Sequence, residues 1–201
     1  MIIGVDFDNT IVCYDRLFHS IAVSNRHIPN NVPQTKEDVR NYLREQKKEE
    51  IWTELQGMVY GPEILNANPF DGVMDFFMHC KKNKIVTCII SHKTLYPFLG
   101  SKHSLHEYAH LWLEKQGFYD TKRTGLSKGS VFFELTKEEK LGRIAKQGCT
   151  HFIDDLPEFL NEKKFPPNVV KVLFDPNAKC KDTGNIESVS SWFEMIEILK
   201  R

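Results

Sequence analysis

The chain has 201 residues, 41% of them hydrophobic and 27% charged. That is enough apolar material for one sizeable core, or for one core with a small accessory unit, and it excludes a disordered chain. Lys plus Arg equals Asp plus Glu at 27 each, so no charge excess favours nucleic acid or a membrane surface as a partner. No apolar run approaches membrane-spanning length and no signal sequence precedes the first strand, which predicts a cytoplasmic protein. The five cysteines, Cys13, Cys80, Cys88, Cys149 and Cys180, are scattered without a CxxC pair and read as free thiols of a reducing compartment.

Ile2, Ile3 and Val5 form a short apolar run rich in β-branched residues, the pattern of a strand buried on both faces of a parallel sheet. Asp6 and Asp8 follow at once, with Thr10 two residues on. Carboxylates at a buried strand end are costly unless something holds them, and a hard divalent cation such as Mg²⁺, which takes oxygen ligands, fits best.

After Cys13 the texture changes. Residues 14–68 are polar and helical in pattern. Leu17, Phe18, Ile21 and Ala22 recur at helical spacing, and Thr35 followed by Asp38 opens a second helix through Val39, Tyr42 and Leu43. Ile51, Trp52, Leu55 and Met58 stripe a third, ended by Gly61-Pro62. The chain re-enters a core at Pro69. Val73, Phe76, Phe77 and Cys80 predict a helix, Ile85–Ile90 a second buried strand, and Ser91-His92-Lys93-Thr94 its end.

His106-Glu107-Tyr108-Ala109-His110 fits the HExxH zinc-peptidase pattern, which places two imidazoles one turn apart. Downstream residues offer no strong third ligand, Glu134 being arbitrary. The stripe Leu105, Ala109, Trp112 and Leu113 reads as an ordinary crossover helix of the core, so a zinc metallopeptidase is an outlying alternative. Ser130–Phe133 is a third strand. Thr136 and Glu139 form a capping box opening a helix with Lys137 and Lys140 in its first turn. Phe152-Ile153-Asp154-Asp155 again runs an apolar strand into two carboxylates. Val169–Phe174 is a fifth strand, and Trp192, Phe193, Ile196 and Leu199 stripe a final helix. In a parallel sheet both acidic strand ends lie on one edge, where four carboxylates converge and repel unless a cation joins them.

Taken in order, Asp6, Asp8 and Thr10, then Ser91, then a Lys of the 137–140 turn, then Asp154 and Asp155 resemble the four motifs of the haloacid dehalogenase-like hydrolases across the whole chain. The resemblance implies an α/β fold: a Rossmann-like three-layer core, residues 1–13 and 69–201, with a parallel sheet in the order 5-4-1-2-3. Residues 14–68 would be a small helical cap inserted in it. It implies a Mg²⁺-dependent phosphatase acting on a small phosphorylated metabolite through an aspartyl-phosphate. Asp6 would be nucleophile and Asp8 general acid and base. Ser91, Lys140, Phe7 through its main-chain N–H, and Thr10 would serve the phosphate. Asp6, Asp8, Asp154 and Asp155 would hold the metal. Lys140 is preferred to Lys137 because it abuts Leu141 of the buried stripe. Retention of Asp8 argues against carbon–halogen chemistry, while a phosphomutase or phosphotransferase on the same site stays open.

Overall fold

The computed structural model describes residues 1–180, 184 and 186–200. In chain order its elements are β1 (Ile2–Val5), β2 (Val12–Cys13), α1 (Asp15–Ser24), α2 (Lys36–Glu45), α3 (Glu49–Tyr60), β3 (Asn68–Pro69), α4 (Val73–Lys82) and β4 (Val86–His92). There follow α5 (Leu105–Lys115), β5 (Val131–Glu134), α6 (Lys137–Lys146), β6 (His151–Asp154), α7 (Pro157–Leu160), β7 (Val170–Phe174), β8 (Glu187–Val189) and α8 (Trp192–Leu199). Among the described residues, no helix is long and apolar enough to cross a membrane.

Six strands form one sheet in the order β5-β4-β1-β6-β7-β8, and every adjacent pair is parallel. The five strands read from sequence occur in the expected 5-4-1-2-3 arrangement. The sheet does not stop there, because β8 adds a sixth strand outside β7. Only Val189 of its three residues is buried, so no apolar run marks this edge strand. Helix α7 is a single short turn ending at Leu160.

The sheet is covered by helices as its alternating side chains require. Cys88 and Ile90 of β4, Phe152 of β6 and Leu173 of β7 pack with Leu141 and Ile144 of α6 and Phe159 and Leu160 of α7. A second aromatic layer joins Phe174 of β7 to Trp192 of α8, centroids 5.2 Å apart, and Trp192 to Phe76 of α4 at 4.7 Å. Gly4, in the central strand, is required by packing: a Cβ there would stand 2.6 Å from the Phe152 ring and 3.0 Å from the Cys149 sulfur.

The chain divides into two units. One comprises Met1–Val12, Pro69–Lys93 and Gln116–Arg201; the other comprises Cys13–Asn68 and Thr94–Lys115. This differs from the expected division at Thr94–Lys115, which the sequence reading places in the core. Within the helical unit, the α5 stripe is buried against the other helices of that unit. Trp112 Nε1 donates to the Ala67 carbonyl at 2.9 Å and Lys115 Nζ to that of Leu65 at 2.6 Å. The sequence pattern shows that α5 buries a face, but not against what. Phe18 packs on Trp52 and Tyr60, with Tyr14 beside Tyr60. Thr35 caps α2 by accepting from the Asp38 N–H at 3.1 Å.

Candidate active site

The parallel sheet places the ends of β1, β4 and β6 and the start of α6 on one edge, the usual place for a site in α/β proteins. The turn after β1 is built by its own backbone. The Asp6 N–H donates to the Ile153 carbonyl at 2.9 Å, the Phe7 carbonyl accepts from both Ile11 and Val12, and Asn9 takes a left-handed φ of 58°. Asparagine tolerates that conformation better than most residues. Asp6 is buried, Asp154 fully so.

Lys140 reaches into this acidic edge. Its ammonium donates to Asp6 at 2.6 Å and to Asp154 at 2.6 Å, with the side chain almost wholly buried over the Phe159 ring. The capping box at Thr136 and Glu139 starts α6 in register, so that Lys140 comes one turn later and points inward beside Leu141. Lys137, its alternative, is exposed and lines the mouth of the same cavity. Burial pushes the Asp6 carboxyl up to about 7; Lys140 opposes this, while Asp154 and Asp8 add to it. Burial disfavours the Lys140 ammonium, but the attraction of Asp154 and Asp6 outweighs it and holds its pKa above the ordinary value.

Asp6, Asp154 and Asp155 each offer an oxygen within 4.8 Å of the others. Three hard oxygen donors at this spacing suit a Mg²⁺ ion, and such an ion would offset the burial that raises the Asp6 pKa. Asp154 is oriented by the Leu156 N–H, which donates to it at 3.0 Å, and Asp155 accepts from the Thr10 hydroxyl at 3.4 Å. A cavity of about 90 Å³ opens on this edge, lined by Asp6, Asp8, Asn9, Ser91, Lys140 and Asp155 among others. Phe7 and Thr10, expected on the phosphate, are buried beside it. Phe7 sets its ring edge-on to Phe133 at 5.3 Å, and Thr10 serves Asp155.

One residue of the site escaped the sequence reading. Lys93 is 4% exposed, and its ammonium donates to both oxygens of Asp8 at 2.9 Å. The available signal was strand alternation, which puts Lys93 on the same side as Ser91 two residues before it.

No family model matches the chain, and no curated protein matches it. Solved structures do. A HAD family hydrolase from Deinococcus radiodurans with bound phosphate and sodium aligns over 98% of this chain and 93% of its own, at TM-score 0.61 and 12% identity. A HAD-hydrolase from Bacillus subtilis bound to magnesium aligns over 100% and 98%, at 0.60 and 13%. A predicted phosphoglycolate phosphatase from Haemophilus somnus aligns over 98% and 97%, at 0.59 and 13%. The fold is that of the haloacid dehalogenase-like hydrolases.

The HExxH segment lies outside the unit that carries the acidic edge. It occupies α5 in the helical unit, with both histidines partly buried. Among the described residues, the one group of three or more His, Cys, Asp or Glu placed to hold a metal is that of Asp6, Asp154 and Asp155. His106→Ala combined with His110→Ala is therefore expected to leave the kcat of any reaction at the acidic edge within about threefold of wild type, the range of an indirect effect. A folded double variant whose kcat collapses would return these histidines to the chemistry.

Proposed function

We propose that the protein is a Mg²⁺-dependent phosphatase that hydrolyses a small phosphate monoester through an aspartyl-phosphate. The observation that carries this reading is the convergence of Asp6, Asp8, Ser91, Lys140 and Asp155 on one cavity of about 90 Å³. That is roughly the space of three waters, the scale of a phosphoryl group. The neighbours described as holding phosphate or magnesium support it.

The Asp6 carboxylate, the Asp8 main-chain carbonyl, Asp154 and Asp155 would hold the metal, which when bound supplies positive charge for the nucleophile and the phosphoryl oxygens. Asp6 attacks phosphorus, its oxygen forming the new P–O bond as the bond to the leaving alcohol breaks. Asp8 gives its proton to that alcohol, then takes one from the water that cleaves the aspartyl-phosphate. The Ser91 hydroxyl and Lys140 ammonium stabilise charge on the transferring group, with main-chain N–H groups of the turn after β1. We propose further that the helical unit is the cap, which selects for a small, soluble ester over a macromolecule.

A screen of phosphate monoesters in Mg²⁺, scoring released inorganic phosphate against transfer to an acceptor, tests the reading and separates a phosphatase from a mutase. Activity is expected to vanish in EDTA and return with Mg²⁺, with Ca²⁺ a poor substitute because of its looser coordination. Mg²⁺ at a hundredfold over its Kd should also stabilise the fold by about 2.7 kcal/mol. Full activity in chelator, or phosphate release from phosphoproteins alone, would overturn this function.

A further inference from the structure

We propose that Lys93 is the positioning residue of the acid/base carboxylate, fixing the direction in which Asp8 presents its oxygens. This rests on the reading of Asp8 as general acid and base. Asp8 lies in a turn that its own backbone closes, and the two Lys93 contacts, 2.9 Å to each oxygen, fix the plane of its carboxylate. Lys93 is itself held: its N–H donates to the Glu134 carbonyl of β5 at 2.9 Å, and its ammonium lies 5.5 Å from the centroid of the Phe7 ring. A buried ammonium with these partners has little freedom, so its grip is a fixed point rather than a surface ion pair.

The position in the chain adds a second element. Lys93 is the last residue of the sheet unit before the chain passes into the helical unit at Thr94. Asp8 stands a few residues before the other exit, at Val12 and Cys13. The pair thus ties together the two segments through which the chain leaves the sheet unit.

The test compares kcat/KM for two aryl esters of similar shape, phenyl phosphate and p-nitrophenyl phosphate, in Mg²⁺. Phenolate leaves poorly and depends on a proton from Asp8; nitrophenolate leaves readily. Lys93→Met is expected to lower kcat/KM about tenfold or more for phenyl phosphate, with a much smaller loss for p-nitrophenyl phosphate, since general acid catalysis serves the poor leaving group most. Lys93→Arg, which retains two donors for the carboxylate, should recover part of that loss.

Asp8→Asn is the reference. If it shows no leaving-group-dependent loss, the reading of Asp8 fails. If it shows one while folded Lys93→Met loses equally on both esters, Lys93 does not position Asp8 and the proposal is overturned. An Arg variant no better than Met while folded would equally overturn it. A wild-type enzyme that hydrolyses no phosphate monoester in Mg²⁺, these two included, would remove the phosphatase reading and this proposal together.

Discussion

Asp6→Asn abolishes turnover and leaves the fold intact. The amide cannot form the acyl-phosphate, so kcat should fall by about a thousandfold or more. The backbone bond from Asp6 N–H to Ile153 and the strand pairing of β1 do not involve the side chain. One negative charge is also withdrawn from an edge where Asp154 and Asp8 already raise the Asp6 pKa, so stability is expected to stay the same or rise. Steady-state kinetics, with mass spectrometry to exclude deamidation, checks this. Retention of more than a few per cent of wild-type kcat would count against Asp6 as nucleophile.

Lys140→Met acts on the same site with a different effect on stability. The ammonium is the buried partner of both Asp6 and Asp154, at 2.6 Å from each. Removing one member of such a cluster leaves carboxylates buried without their counter-charge, a loss of about 3–5 kcal/mol. Loss of a preorganised cation at the transferring group should lower kcat by about a hundredfold or more as well. Denaturant unfolding of the metal-free protein reads the first effect, and Mg²⁺ should restore part of it. A folded Met variant of near wild-type stability and rate would show that Lys140 matters to neither. Because Lys140→Met is expected to destabilise the fold and Asp6→Asn is not, the pair also distinguishes electrostatic strain from ordinary packing loss.

The parts of this molecule readable in the sequence are those in which one local pattern determines the outcome. Ile2, Ile3 and Val5 running into Asp6, and Phe152 and Ile153 running into Asp154, announce a buried strand and its acidic end without reference to anything else. The Thr136 and Glu139 box fixes the phase of α6, and the phase turns Lys140 inward. What was not readable depends on distant partners. Lys93 resembles any lysine after a strand until Asp8 is brought to it, 85 positions away in sequence. Residues Leu105 to Leu113 show a buried stripe, but only the Ala67 and Leu65 carbonyls reveal that α5 belongs with α3 and its neighbours. Strand β8 has too little apolar sequence to mark itself, because a short edge strand buries little.

The central place of β1 also governs the order in which the molecule is assembled. Ile2 pairs with Val86 and Ile3 with His151, so β1 is synthesised ahead of both its neighbours. Translation at typical rates takes on the order of ten seconds to reach the second of them. Until β4 emerges the β-branched strand waits with both edges unpaired, and until β6 does with one, and long-range parallel pairing is slow even once its partners exist. Asp6 precedes Asp154 in the chain, and its acidic neighbourhood closes only after Asp154 has emerged. A nascent chain stalled before β6 would carry Asp6 without the carboxylates that complete its cluster.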